Sequence, residues 1–559
     1  MKKKLLVLSI LSTLALSGCT IEIFRDWPFS EEESTQTQVS EESESSTSSI
    51  SQGGNESESE QTSTTSQGGG TSQESTSQGG TSQTSTSEET KVQKTHLKQT
   101  YQDYAKANAY RCDYCPKTGN PKLLVIPVWF TDSGSYISSS EKTTIRNNIQ
   151  TAYFGTDAQT GWRSVKTFYE EESNGALSLT GTVSDWWSCG VSSSSCDESK
   201  TEELVDDAVN WYFSSHSSER KSFDTDENGY LDGVMLIYGA PNNNGGNENL
   251  WAYCYWTSND ASTSAPTSNV FFWASYDFMY EDTDHCTIDT HTYIHEMGHV
   301  LGLDDYYDYS GNRYNPAGGF SMQDNNVGGH DAFSVMAYGW ADPYIPTKSC
   351  TIEIGAFQTT KELILLTPSW NAQDSAFDEY LLLELYTPTG LNQFDTNYKY
   401  NSVYPQGPNA TGIRLWHVDA RLAMVTGVTS GNQPVFSSSM TTDLNDSRAK
   451  YGVLTAMTNT SNDGSSNIAG YLSPLGSSYY KYDILHLIRS NASTSLNTKN
   501  DLSSSDLFKN GSSFNMTTYK NQFATSGKLD SGKALGWSFS VTINGSGASA
   551  TASVKLTKA

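Results

Sequence analysis

The chain has 559 residues, with 63 acidic against 35 basic side chains and a formal charge of −28 at pH 7. Such an excess of negative charge argues against nucleic acid or an anionic membrane surface as a partner. The length is more than one hydrophobic core usually fills, so two folded domains are expected once the polar segments are set aside.

Three lysines at the start precede a short apolar run, Leu5 to Leu16, and small residues lead on to Cys19. This is the layout of a secretory signal peptide over residues 1–18, and the run is too short to span a bilayer. Leu16-Ser17-Gly18-Cys19 resembles a bacterial lipobox. That resemblance implies cleavage before Cys19, lipidation of its thiol, and a protein anchored outside the cell. From Ser30 to Glu89 there is no basic or aromatic residue, only Ser, Thr, Gln, Glu and Gly in imperfect SQGG and TSQ repeats broken by a few others. Such a segment cannot bury enough apolar surface to offset chain entropy, so residues 19–95 are expected to form a flexible spacer. The 12 acidic residues from Ser30 to Glu89 carry −12 of the formal charge, so the acidity is partly a property of the tether.

The folded part opens with Lys122 to Phe130, a continuous apolar run that predicts a buried strand. Helical spacing follows over Ser140 to Phe154 and Ser164 to Glu172, an alternating strand over Ala176 to Val183, a helix over Glu202 to Phe213, and a buried strand over Gly233 to Tyr238. Strands alternating with helices predict an α/β (α+β) layer with a mixed sheet. Between them, Asp224, Asp226, Asn228, Tyr230 and Asp232 stand at positions 1, 3, 5, 7 and 9 of an EF-hand-like loop, with Gly229 at position 6. Position 12 is Met235 rather than Glu, so either a calcium ion is completed by another segment or the loop is an acidic turn. Of the eight cysteines, Cys189 with Cys196 and Cys254 with Cys286 are expected to pair, while Cys112, Cys115 and Cys350 leave the connectivity open.

His295-Glu-Met-Gly-His-Val-Leu-Gly-Leu-Asp-Asp305 organises the rest. His295 and His299 fall on one face of a helix and can bind a single zinc ion, with Glu296 beside them as general base for a water. Gly302 is suited to end the helix and let the chain double back to deliver Asp305 as third ligand. Three protein ligands and an open position are the pattern of a catalytic zinc site.

Further on, Phe333-Ser-Val-Met336-Ala-Tyr338 resembles the Met-turn of the metzincin zinc peptidases. With HEMGHVLGLDDYYD, the MQDNNVGGHDAFSVMAYGW stretch, SVKTFYEEESNGALSLTGTVSDW, the DTDENGYLDG loop, and Gly412-Ile-Arg-Leu-Trp-His417-Val-Asp419, the chain is similar to the immune inhibitor A-like secreted bacterial metallopeptidases over about residues 120 to 425. The resemblance implies zinc on His295, His299 and Asp305, catalysis by Glu296, an apolar floor from Met336, and a Tyr338 hydroxyl that hydrogen-bonds the tetrahedral intermediate. His291 and His330 are expected to be structural or supporting, with a substrate role for His330 as the alternative. The resemblance also implies a metzincin-like catalytic domain at 96–345, and the alternating runs from Cys350 onward predict a β-rich region at 346–559. The expected function is endopeptidase cleavage of extracellular proteins or peptides by a monomer. A surface adhesion protein that keeps the fold, or a narrow processing peptidase, are the competing readings.

Overall fold

The computed structural model describes residues 91–110, 112–242, 250–308, 315–402, 404–430, 434–460 and 482–559. The expected signal peptide, the Cys19 anchor and nearly all of the 19–95 spacer lie outside the described residues. From Val92 to Ala559 the chain packs as one unit, of mixed α and β structure.

Lys122–Trp129 forms β1, and its inner residues are fully buried because both of its faces are covered. Around it lie β2 (Thr180–Val183), β3 (Trp187–Ser188), β4 (Val234–Tyr238), β5 (Tyr253–Trp256) and β6 (Val270–Ser275), in the order β2-β1-β4-β6-β5 with β3 also paired to β1. All pairs are parallel except β5 with β6, so β5 is an antiparallel edge strand. The side-chain alternation of β1 divides the layers. Leu123 and Val125 enter the core shared with α1 (Tyr101–Ala107), α2 (Lys142–Phe154), α3 (Val165–Glu172), α5 (His291–Val300) and α6 (Ala332–Ala337). Leu124, Ile126 and Val128 face α4 (Glu198–Ser215) through Leu204, Val205 and Ala208.

The remaining strands are β7 (Cys350–Gly355), β8 (Leu363–Leu366), β9 (Glu379–Tyr386), β10 (Gly412–Asp419), β11 (Leu422–Val428), β12 (Pro434–Thr441), β13 (Val453–Thr455), β14 (Leu485–Ile488), β15 (Ser513–Asn515), β16 (Trp537–Asn544) and β17 (Thr551–Lys558). The sheet β14-β10-β9-β8 is antiparallel and buried on both faces. Tyr380, Leu382, Trp416 and Val418 join the larger core. Leu381, Leu383, Leu385 and Leu415 pack as a sandwich against β15-β16-β17-β7 through Phe514, Phe539 and Val554. The larger core therefore runs on past residue 345 as far as Leu507.

Neither expected disulfide is closed: Cys189 and Cys286 are free thiols, and Cys189 Sγ lies 3.4 Å from the Trp129 carbonyl. Among the described residues no helix is long and apolar enough to cross a membrane.

Candidate functional site

The site is built on α5. Tyr293, Ile294, Met297 and Val300 are buried against the sheet, and two hydroxyls fasten the helix: Tyr169 donates to the Ile294 carbonyl and Tyr293 to the Ser275 carbonyl, each at 2.7 Å. The other face carries His295 and His299, with side chains 13% and 15% exposed. The helix ends as the glycine predicted. Gly302, at φ 104°, donates to the His299 carbonyl at 2.8 Å, and Leu303 donates to the Gly298 carbonyl at 3.1 Å. These are the paired bonds of a Schellman cap, and they turn the chain back along its own helix.

That reversal does two things. It brings the Leu303 carbonyl to 2.7 Å from His299 Nδ1, and it carries Asp305 Oδ1 to 3.0 Å from His295 Nε2 and 3.3 Å from His299 Nε2. His295 Nδ1 is held in the same way by the Met322 carbonyl at 2.7 Å. Each imidazole thus donates from Nδ1 to a carbonyl, which leaves the Nε2 lone pairs of the neutral rings aimed at one carboxylate oxygen. Three acceptors facing one another repel unless a proton or a metal cation lies among them. Donors at about 2.0–2.1 Å around a tetrahedral zinc ion stand roughly 3.3 Å apart. The observed separations therefore fit zinc. Asp304, the neighbouring acid, is exposed and meets His299 and Asp305 through charge alone.

The charges tell the same story. Burial alone would push the His299 imidazole down, but the Asp305 charge outweighs it and carries it up to about 10. Burial would raise Asp305, and the two imidazoles instead hold it far below the usual carboxylate range. The cluster attracts a positive charge strongly. Glu296 lies beside it, its ligand atoms within 4.8 Å of those of His295 and His299. Its Oε2 is buried without a hydrogen-bond partner, and burial raises its carboxyl above the ordinary value against the pull of His299. An unshared carboxylate oxygen beside the cluster is what a general base requires.

Several supporting groups were not marked in the sequence. Gln323 Nε2 donates to the His295 carbonyl at 3.1 Å and lies 3.4 Å from His299 Nδ1, while its Oε1 faces His330 Nε2 at 3.3 Å. The backbone N–H of His330 donates to Glu172 Oε2 at 3.0 Å, and Glu172 Oε1 accepts from Lys361 Nζ at 2.7 Å. Burial pushes Glu172 up, but Lys361 and His330 outweigh it and bring its carboxyl down to about 2. The one signal for this layer was Gly298: a Cβ there would sit 2.0 Å from Gln323 Oε1, so only glycine lets the glutamine lie against the helix.

Other expected residues take different places. Tyr338 is 1% exposed and its hydroxyl donates to the Gly298 carbonyl at 2.8 Å. In this arrangement the hydroxyl braces the end of α5. Met336 is fully buried in α6, within the core that also holds Met297. His291 Nε2 lies 3.0 Å from the Asn326 carbonyl, as expected of a structural histidine, and burial with the nearby His295 charge drops its imidazole to about 3.

In the acidic loop, Gly229 takes φ 93° and donates to Asp224 Oδ2 at 3.1 Å, while Asn228 donates to Asp226 and Tyr230 N donates to Asn228 Oδ1 at 2.8 Å. Asp232 is turned away and accepts from the N–H groups of Lys122 at 2.6 Å and Thr225 at 2.9 Å. Its carboxylates form no converged metal group among the described residues. No family model matches the chain, and no curated protein matches it.

Proposed function

We propose that this protein is a zinc-dependent endopeptidase, with His295, His299 and Asp305 holding the ion and Glu296 acting as general base. The observation that carries the reading is the convergence of two Nδ1-anchored imidazoles on Asp305 Oδ1, with the unpartnered Glu296 Oε2 beside them.

Zinc, when bound, supplies Lewis-acid chemistry: it acidifies a water and polarises a carbonyl. Glu296 takes the proton from the water as it adds to the scissile carbonyl, and returns that proton to the leaving amine nitrogen when the C–N bond breaks. The carbonyls of Met322 and Leu303 hold both rings in the tautomer that presents Nε2 to the ion. The cap at Gly302 fixes Asp305 against them.

The edge strand β5 belongs to the same sheet and ends it on one side. An extended peptide paired to such an edge would be held by main-chain bonds, which suits a protease with many substrates. The metzincin-like and immune inhibitor A-like assignment rests on the sequence resemblance, and the mixed sheet with its antiparallel edge accords with it. Anchoring through Cys19 would place the enzyme outside the cell, on extracellular proteins.

The test is hydrolysis of a mixture of unfolded proteins by the wild-type chain beside Glu296→Ala, with zinc counted in both. Cleavage by the wild type alone, at equal zinc content, is expected. Two inert proteins that both hold zinc would favour the surface adhesion reading, and absence of zinc from the wild type would overturn the proposal.

A further inference from the structure

A second group of metal-ligating side chains lies on the sheet face turned away from the larger core. Glu379 begins β9 and His417 stands near the end of β10, two antiparallel neighbours in which Asp419 pairs with Glu379. Asp530 approaches from a tight turn closed by Leu529 N to the Lys533 carbonyl at 3.0 Å, with Gly532 at φ 79°. One ligand atom from each of Glu379, His417 and Asp530 lies within 4.8 Å of the others. His417 Nε2 is 3.1 Å from Glu379 Oε1, and these two side chains are only 5% and 3% exposed.

Two observations mark the cluster as more than a buried ion pair. The first is an orphaned acceptor: Asp530 Oδ1 is buried without a hydrogen-bond partner, and so is the neighbouring Ser531 Oγ. Leaving a buried carboxylate oxygen unpaired is costly, and native structures rarely do so without an ion, a water or a functional reason. The backbone N–H groups of Asp530 and Ser531 are already directed to Glu379, so the turn is drawn against the sheet while Asp530 Oδ1 itself has no hydrogen-bond partner.

The second is charge. Arg421 is the fixed cation of the neighbourhood, and it is engaged with Asp419 through two bonds of 2.7 and 2.6 Å, standing 3.9 Å from Glu379. Arg421 and Asp419 satisfy each other, so two acid groups, Glu379 and Asp530, are left facing a single imidazole, a donor set that a divalent cation would complete.

From these observations we infer that Glu379, His417 and Asp530 form a second, structural site for a divalent transition-metal ion, zinc before the others, which pins the 529–533 turn to the β9–β10 sheet. The donor set of one imidazole nitrogen and two carboxylates selects this class of ion over calcium or magnesium, which prefer oxygen alone. Glu379 and His417 are nearly closed off from solvent and are covered by the 529–533 turn, which suits a structural site rather than one that admits substrate. The site is independent of the peptidase reading.

The test uses the full-length protein with zinc as the only added metal, freed of excess ion by gel filtration, and counts zinc per chain by mass spectrometry. Two zinc ions are expected in the wild type and one in the double variant His295→Ala/His299→Ala. That remaining ion disappears when His417→Ala is added. Asp530→Asn, a change in a surface turn, serves as a second probe in the same background: loss of the ion with an unaltered circular dichroism spectrum is expected. Zinc should raise the Tm of the double variant and leave that of its Asp530→Asn derivative unmoved. A double variant that is folded and binds no zinc would overturn the inference while leaving the peptidase reading intact. One ion in both the wild type and the double variant would uphold the inference and sink the catalytic site.

Discussion

His295 and His299 stand one turn apart on a single helix, and Asp305 reaches them through a cap only a few residues long. Glu379, His417 and Asp530 come instead from two strands and a distant turn, with Asp530 lying 151 residues beyond Glu379. The two clusters use the same chemical vocabulary, imidazole and carboxylate, yet they differ in access. The histidines on the helix are 13% and 15% exposed, whereas His417 is 5% exposed and covered by the ring of Phe523 at 5.4 Å. Openness separates a site that can admit substrate from one that can only hold parts together. A helix places its ligands on one face and leaves the opposite side free, while a sandwich edge closed by a turn surrounds them. Damage at the helix cluster should therefore appear in rate, and damage at buried supports should appear in stability.

The largest effect expected is at Glu296. Glu296→Ala should lower kcat by about 10²–10⁴-fold with zinc content and Tm unchanged, measured by steady-state peptide hydrolysis and metal analysis. Loss of zinc together with activity would instead place Glu296 among the ligands and blur the contrast. Next is Glu172, fully buried between Lys361 and His330. Glu172→Gln leaves the Lys361 charge uncompensated and should cost about 3–5 kcal/mol in urea unfolding.

The same carboxyl gives a pH dependence. Its folded value is depressed to about 2, so its stabilisation is full above the ordinary carboxyl range and is lost as pH falls toward 2. Between pH 6 and pH 2 the wild type should lose about 3 kcal/mol that Glu172→Gln does not lose, read from unfolding midpoints at each pH. Gly298→Ala should follow at about 1–3 kcal/mol, because the added methyl meets Gln323. It should also slow catalysis, since Gln323 is pressed toward His299. The smallest effect belongs to Tyr338→Phe: about 1 kcal/mol of stability for the lost bond to Gly298, with kcat within about threefold. A hundredfold fall in kcat at unchanged stability would return Tyr338 to the chemistry and erase the distinction between support and site.

Legibility followed sequence distance. The apolar run of β1, the pairing of His295 with His299, the stop at Gly302 and the delivery of Asp305 could all be read from local pattern, because each depends on helix or strand periodicity within a dozen residues. The Met322 and Leu303 carbonyls, Gln323, and the Glu172–Lys361 pair could not, since a backbone acceptor has no residue identity and a buried ion pair joins segments 189 residues apart. Asp232 shows what spacing leaves out: it stands at the ninth place of a calcium-loop pattern, while the start of β1 offers it an N–H at 2.6 Å.

By itself, then, the sequence determined the acidic spacer composition, the mixed α and β class, and the helix whose His295 and His299 meet Asp305. Tertiary structure alone decided that Tyr338 braces the helix end, that β8–β10 and β14 carry a core on each face, and that Glu379, His417 and Asp530 meet. The reason is physical: periodicity and turn chemistry are encoded over a few residues, whereas desolvation and charge balance depend on which distant segments exclude water together.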